Sequence, residues 1–354
     1  MTRPMLTRRR GLAAGATVLA MPYVHPRPAH AAGQVVVRNP GGAYSDTMKK
    51  YVYDPFTKDT GIEVVIAPST MAKMLAMVKS GNIELDVADA GLDGLVTLHK
   101  AGALAPIDYA GWKYTNPDDV PKEYRTDTTL GICLYASVLG YNKESFPNGT
   151  QPKNWGEFWD AQKFPGARML ADMASGTPNL EFALLADGVA MDKIFPIDID
   201  RAFKSMSRIK ANIKKFWDTG ALSAQMLAGR DVVLGSIWNG RLQAVADKGA
   251  PLAIEWNQHM LQVQAYGIFK EAKNRKEAQL LVDYSMSPKA NVGGGMELNY
   301  GPVNRKSFDL LPPDVIAKLP GSPDNMRRCF IQDVNWWDEN RAKVNAIWSK
   351  WILT

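Results

Sequence analysis

The sequence predicts an α/β fold built from parallel strands and covering helices and divided between two domains. Two observations lead there. From residue 35 to residue 102, short β-branched runs alternate with amphipathic stretches, the order that builds a parallel sheet with helices on its faces. Removing an N-terminal leader of 31 residues from the 354 leaves 323 (354 − 31), more than one core commonly organises.

Val35-Val36-Val37 begins the alternation as a strand, and Asn39-Pro40-Gly41-Gly42 turns the chain. Residues 45–57 read as a helix with Met48, Tyr51, Val52 and Phe56 on one side and Ser45 as its N-cap. Gly61 ends it and 62–67 form the next strand. A helix over 71–79 stops at Gly81, a strand follows over 85–90, and a helix over 93–100 stops at Gly102. In such sheets ligands bind beyond the carboxyl ends of the strands, here 40–45, 68–70 and 89–93.

The pattern loosens after Pro106 and resumes with a strand over 135–142, a helix over 155–161, a strand over 167–171 and a helix near 179–186. A long amphipathic helix is expected over 198–215. A strand over 231–237 runs into Trp238-Asn239-Gly240-Arg241, and 263–269 is strand-like. The stretch 335–351 is helical, with Trp336, Trp337, Trp348 and Trp351 packing it.

The leader reads as an export signal of twin-arginine type over 1–31. Arg8-Arg9 precede an apolar run from Leu12 to Met21, and Ala29-His30-Ala31 is a small-x-small cleavage site. The run is too short to span a bilayer, which takes about 20 residues. The mature protein is therefore expected to be periplasmic and unanchored. The leader holds five arginines and no acid, so the mature chain has 37 basic residues (42 − 5) against 36 acidic, net +1 rather than +6. A nearly neutral chain offers no electrostatic reason to bind nucleic acid or an anionic membrane.

Catalytic chemistry finds no foothold. Two of the four histidines, His25 and His30, fall in the leader; His99 and His259 stand alone. Metal-ligand spacing, a nucleophile elbow, a phosphate loop and a dinucleotide fingerprint are all missing. Asp86 and Asp89 lie three apart on a strand and point to opposite faces. Cys133 and Cys329 read as two separate thiols. No metal and no cofactor are expected.

Three segments, in order, resemble a known family. They are Tyr141-Asn142-Lys143 with Asn154-Trp155-Gly156-Glu157-Phe158-Trp159; Ile237-Trp238-Asn239-Gly240-Arg241 with 251–256; and Asn299-Tyr300-Gly301-Pro302-Val303-Asn304. Together they look like the bacterial extracellular solute-binding proteins of ABC importers, most similar to the spermidine/putrescine-binding branch. The resemblance implies the two-lobed periplasmic-binding-protein fold, with lobe 1 over 32–134 plus 262–310 and lobe 2 over 135–261 plus 311–354. Crossover strands near 133–138 and 262–269 would hinge the lobes about a ligand cleft.

It further implies a monomer that binds a small amine-containing solute, a polyamine or an amino-acid-like amine, and hands it to the membrane permease subunits. The implied ligand-binding residues are Tyr44, Ser45, Asp89, Asp93, Glu181, Trp238, Asn239, Gln262, Gln264 and Tyr300. Trp238 falls where the family stacks a ring on the ligand's alkyl chain. Gln264 and Gln262 depart from the polyamine pattern of an aspartate and a tryptophan. A neutral amide supplies no charge-assisted bond to an ammonium, and it suits a carboxylate or hydroxyl on the ligand. A shorter or zwitterionic amine is therefore expected to bind at least as well as spermidine. Two alternatives remain. A ferric-iron-binding transport protein would need paired tyrosines or carboxylates, and no adjacent pair of tyrosines occurs late in the chain. A secreted enzyme on a similar scaffold would need a base that the histidines do not offer.

Overall fold

Val35 and Val37 are fully buried at the centre of the first strand, as the β-branched run requires. The computed structural model describes residues 33–354; the expected export signal over 1–31 lies outside the described residues. The strands in chain order are β1 (Gly33–Arg38), β2 (Ile62–Ile66), β3 (Val87–Gly91), β4 (Leu130–Asn142), β5 (Arg168–Ala171), β6 (Ile213–Trp217), β7 (Leu234–Trp238), β8 (Leu252–Ile268), β9 (Gly301–Pro302) and β10 (Cys329–Ile331). They join in the spatial order β2-β1-β3-β8-β4-β7-β5-β6, with β9 beside β4 and β10 beside β8.

β1 pairs in parallel with β2 and β3, with a helix in each crossover. The helix Met71–Ser80 starts at Thr70, whose hydroxyl accepts the Lys73 N–H, and stops where Gly81 turns left-handed at φ 70°. The first helix begins at Gly42 rather than at Ser45. Gly41 and Gly42 take φ of 82° and 62°, so the chain enters the helix three residues early and Ser45 sits inside its first turn. It then runs through a π turn over Lys49–Tyr53 to Thr60.

β5 pairs in parallel with β6 and β7, the counterpart of the β1 group. The helix expected over 198–215 is cut short: Ile199–Ile209 is helical, and Ile213–Trp217 is β6. Pairing with β5 overrides the local helical periodicity. β6 lies at the sheet edge, and the exposed Lys214 and Lys215 protect that edge from adding a foreign strand.

β4 and β8 are long enough to belong to both halves. Their pairing starts with Leu130 opposite Tyr266; after a shift it sets Cys133 opposite Gln264 and Ser137 opposite Met260, and after a second shift Leu139 opposite Glu255. Gln258, within the shifted segment of β8, takes φ of 60°. One core gathers Val35, Phe56, Leu95 and Tyr266 around the β1 group. A second gathers Trp155, Phe158, Phe182 and Met206 beyond the shift, and a third lies around Val138, Trp217 and Ile237. The helix Val334–Trp351 buries Trp337, Val344 and Trp348 in the second core, while Trp336 and Trp351 pack half-buried against it, the role expected of this tryptophan group. Leu311 and Leu319 pack with Tyr51 and Val292. Cys133 and Cys329 are separate thiols. Among the described residues, no helix is long and apolar enough to cross a membrane.

Gly140 on β4 faces Gly235 on β7, and a Cβ there would sit 2.6 Å from Leu242 Cδ1 and 2.7 Å from Ile237 Cγ2. Gly140→Ala is expected to lower stability by about 1–3 kcal/mol through overpacking. The check is the urea midpoint at unchanged m-value; an unmoved midpoint would mean that Leu242 and Ile237 give way freely.

Candidate functional site: the cleft over the crossover strands

Where β4 and β8 pass between the lobes, the structure leaves a cleft of about 220 Å³. Arg38, Pro40, Tyr44 and Gly91 approach it from the carboxyl ends of β1 and β3, the place that a parallel sheet reserves for ligands. Tyr135 of β4 and Gln264 of β8 form its floor. Trp238 at the end of β7, Arg241 in the first turn of the helix Asn239–Ala246, and Tyr300 close the far side. The aromatic rings form one wall: Tyr135 meets Trp238 edge-on at 6.4 Å and Tyr300 tilted at 5.9 Å, and Trp238 is braced edge-on by Trp217 at 5.2 Å. Two glycines let this wall form. A Cβ on Gly220 would lie 2.7 Å from Trp238 Cε3, and one on Gly240 would lie 2.5 Å from Tyr300 Cε1.

Two guanidiniums line the cleft and, among the described residues, no carboxylate does. Arg38 is anchored from behind: its Nε donates to Ser69 O at 3.0 Å and its Nη1 to Asp89 O, leaving Nη2 without a protein acceptor among the described residues. Burial pulls the Arg38 pKa down and the nearby Asp89 carboxylate pushes it back up. Arg241 makes no side-chain hydrogen bond or ion pair among the described residues; its stem lies over Gly220. Behind the floor, Asp89 is fully buried and accepts from Tyr44 Oη at 3.1 Å, Gln264 Nε2 at 2.6 Å and Asn39 Nδ2 at 3.4 Å. Burial raises the Asp89 pKa to about 7, against the pull of these hydrogen bonds and of Arg38.

Residues 52–323 match the family described as bacterial extracellular solute-binding protein. The chain belongs to that family. Over 318 residues it is 28% identical to the γ-aminobutyric acid-binding protein of Pseudomonas aeruginosa, covering 88% of each chain. Over 332 residues it is 24% identical to the spermidine/putrescine-binding periplasmic protein of Escherichia coli, covering 89% of this chain and 90% of the other. An ABC transporter substrate-binding protein from Bradyrhizobium japonicum superposes with a TM-score of 0.83 at 32% identity, over 90% of this chain and 99% of that one. The two-lobed fold expected from the three motifs is the fold of this family.

In this solute-binding protein, Tyr44, Trp238, Gln264 and Tyr300 line the same cleft. The other expected contacts sit elsewhere. Asp89 is sealed behind Tyr44 and Gln264. Asp93 stands at the rim beside Gly91, paired with Arg341. Ser45, one residue past Tyr44 on the helix, does not line the cleft. Asn239 is fully buried and structural: its Oδ1 accepts the Ala136 N–H and its Nδ2 donates to Asn299 O at 2.8 Å. Gln262 is spent between Ser137 Oγ at 2.8 Å and Gln332 Oε1 at 3.3 Å. Glu181 lies inside the second lobe, where its Oε1 accepts the Trp337 indole N–H at 2.6 Å and its Oε2 has no partner among the described residues.

Arg38, Tyr135 and Arg241 are the lining residues that sequence reasoning passed over. Signals for two of them were present. Arg38 is the last residue of a strand whose carboxyl end was expected to meet ligand, and Arg241 closes the quoted motif that begins at Ile237.

Burial also raises the Glu181 pKa to about 7. The unfolded chain loses this proton near 4.5 while the folded one keeps it, so the fold holds more protons across pH 4.5 to 7 and loses stability as the pH rises. Glu181→Gln keeps an acceptor for Trp337 and removes the titration. Its stability relative to wild type is expected to grow by on the order of 2 kcal/mol between pH 4.5 and pH 7.5, read by urea denaturation at both values. A pH-independent difference would show that Glu181 is ionised in the fold.

Proposed function

We propose that this chain is the periplasmic substrate-binding component of an ABC importer, and that it takes a small amine bearing a carboxylate, of the γ-aminobutyrate class. The observation that carries this reading is the pairing of Arg38 and Arg241 across one cleft that no carboxylate lines. Two guanidiniums on opposite lobes suit a ligand carboxylate held between them by charge-assisted hydrogen bonds. The ammonium end finds the faces of Trp238, Tyr135 and Tyr300, where an alkylammonium gains cation–π attraction. Gln264 serves either end, since its amide both donates and accepts. A polyamine has no anionic group for the arginines.

The γ-aminobutyric acid-binding relative adds support from outside the geometry. Closure follows as a hinge motion about β4 and β8, which would deliver the monomer's cargo to permease subunits in the membrane; the segment around Leu311 and Leu319, expected in the second lobe, packs with Tyr51 and Val292 of the first.

Arg241 makes no side-chain bonds that the fold needs, so Arg241→Met separates binding from folding. Calorimetry is expected to show wild-type protein binding γ-aminobutyrate more tightly than putrescine. In the variant, γ-aminobutyrate affinity falls roughly 10- to 100-fold, the loss of a charged hydrogen bond worth about 1.5–3 kcal/mol, and putrescine affinity does not fall. An unchanged γ-aminobutyrate affinity in the folded variant, or an equal loss for both ligands, would reject the assignment.

A further inference from the structure

The C-terminal helix Val334–Trp351 is rooted in the second lobe by Trp337, Val344 and Trp348, yet its half-buried flank at Asp338 and Arg341 reaches the first lobe. There Arg341 donates through Nη2 to Asp93 Oδ2 at 2.8 Å and through Nη1 to the carbonyl of Gly176, with its guanidinium 6.0 Å from the Trp337 ring. One turn earlier, Asp338 accepts from Thr97 Oγ1 at 2.6 Å and from Lys100 Nζ at 3.0 Å. Thr97 and Lys100 share the helix Leu92–Lys100 with Asp93, so these bonds set the register that brings Arg341 to Asp93.

Asp93 is placed to matter to the ligand. Its Oδ1 lies 2.6 Å from the position a Cβ on Gly91 would take, and Tyr135 Oη is 3.5 Å from the same point. Gly91 and Tyr135 both line the cleft. Asp93 is thus a carboxylate at the cleft edge, whereas Asp89 is sealed beneath the floor and Glu181 is turned into the second core. Its charge is already matched. An alkylammonium arriving at Gly91 meets a carboxylate held by a bonded guanidinium, and it gains little there unless Arg341 leaves.

We propose that Arg341 is a specificity-determining residue. By pairing with Asp93 from the opposite lobe it removes the edge charge that would hold the second ammonium of a diamine, and so favours ligands with one cationic and one anionic end. This rests on the interlobe cleft being the ligand site. Arg341 acts through Asp93 and does not touch the ligand itself. The pair also spans the two lobes, so its removal is expected to weaken closure equally for every ligand; the quantity that isolates selectivity is the ratio of two affinities.

The test is calorimetry of the full mature protein with putrescine and γ-aminobutyrate, for wild type, Arg341→Gln, Arg341→Lys and the double variant Arg341→Gln/Asp93→Asn. Arg341→Gln is expected to shift the affinity ratio at least tenfold toward putrescine. Arg341→Lys keeps the charge and should keep the wild-type ratio, and the double variant should lose the shift. Arg341→Met, which retains the apolar stem over Trp337, takes the place of glutamine if that variant unfolds. An unchanged ratio in the glutamine or methionine variant overturns the proposal, as does a shift that survives removal of the Asp93 charge. If wild type binds neither probe, the ligand class proposed above fails separately, and the role of Arg341 still stands or falls on whether its removal creates putrescine binding.

Discussion

Strands β4 and β8 lie side by side, antiparallel, and each contributes to the cores of both lobes. That shared pair is what makes two lobes one molecule. It forces the sheet to change character midway: β8 pairs with β3 on the first side, and β4 pairs with β7 on the second. The register shift between Ser137 and Leu139 falls where the pair passes from one side to the other. The cleft opens above Tyr135 and Gln264, on the stretch of the pair that passes between the two sides. The strand ends that feed it follow from the parallel order on each side, which points the carboxyl ends of β1, β3 and β7 toward the same gap.

The charges around the cleft are sorted by depth. Carboxylates are withdrawn: Asp89 under hydrogen bonds from Tyr44 and Gln264, Glu181 against Trp337, and Asp93 in an ion pair with Arg341. Guanidiniums remain at the surface of the cleft. An unpaired carboxylate in that position would draw cations. In the proposed reading, the two guanidiniums receive the ligand's carboxyl group and the aromatic wall receives its other end without a formal charge. Asp89 acts as a positioning residue in this account. It orients the Tyr44 hydroxyl and the Gln264 amide, and its backbone carbonyl helps to aim Arg38.

Much of this was legible in the chain. Gly81 and Gly102 marked helix ends where they fall, and the valine and isoleucine runs marked β1 and β2, because local sterics decide both. Gln264, read through the resemblance as a departure from the polyamine pattern, lines the cleft. What could not be read was decided by distant partners. Ile213–Trp217 has helical periodicity and becomes a strand only because β5 offers an edge. Asp89, Asp93 and Glu181 all looked like ligand carboxylates, since burial and pairing are not properties of a single position. Asp93 meets Arg341 across 248 residues of sequence, and Glu181 meets Trp337 across 156. Asn239 and Gln262, in segments that do approach the cleft, turned out to be bonded to backbone and to other amides.

The central claim is that a ligand carboxylate bridges the two lobes through Arg38 and Arg241. A crystal structure of the mature protein grown with γ-aminobutyrate tests it most directly. The account predicts closed lobes, with the carboxylate within hydrogen-bonding distance of both guanidiniums and the ammonium against the ring faces of Trp238 and Tyr135. A ligand bound in the reverse sense, or a carboxylate that touches neither arginine, would contradict it.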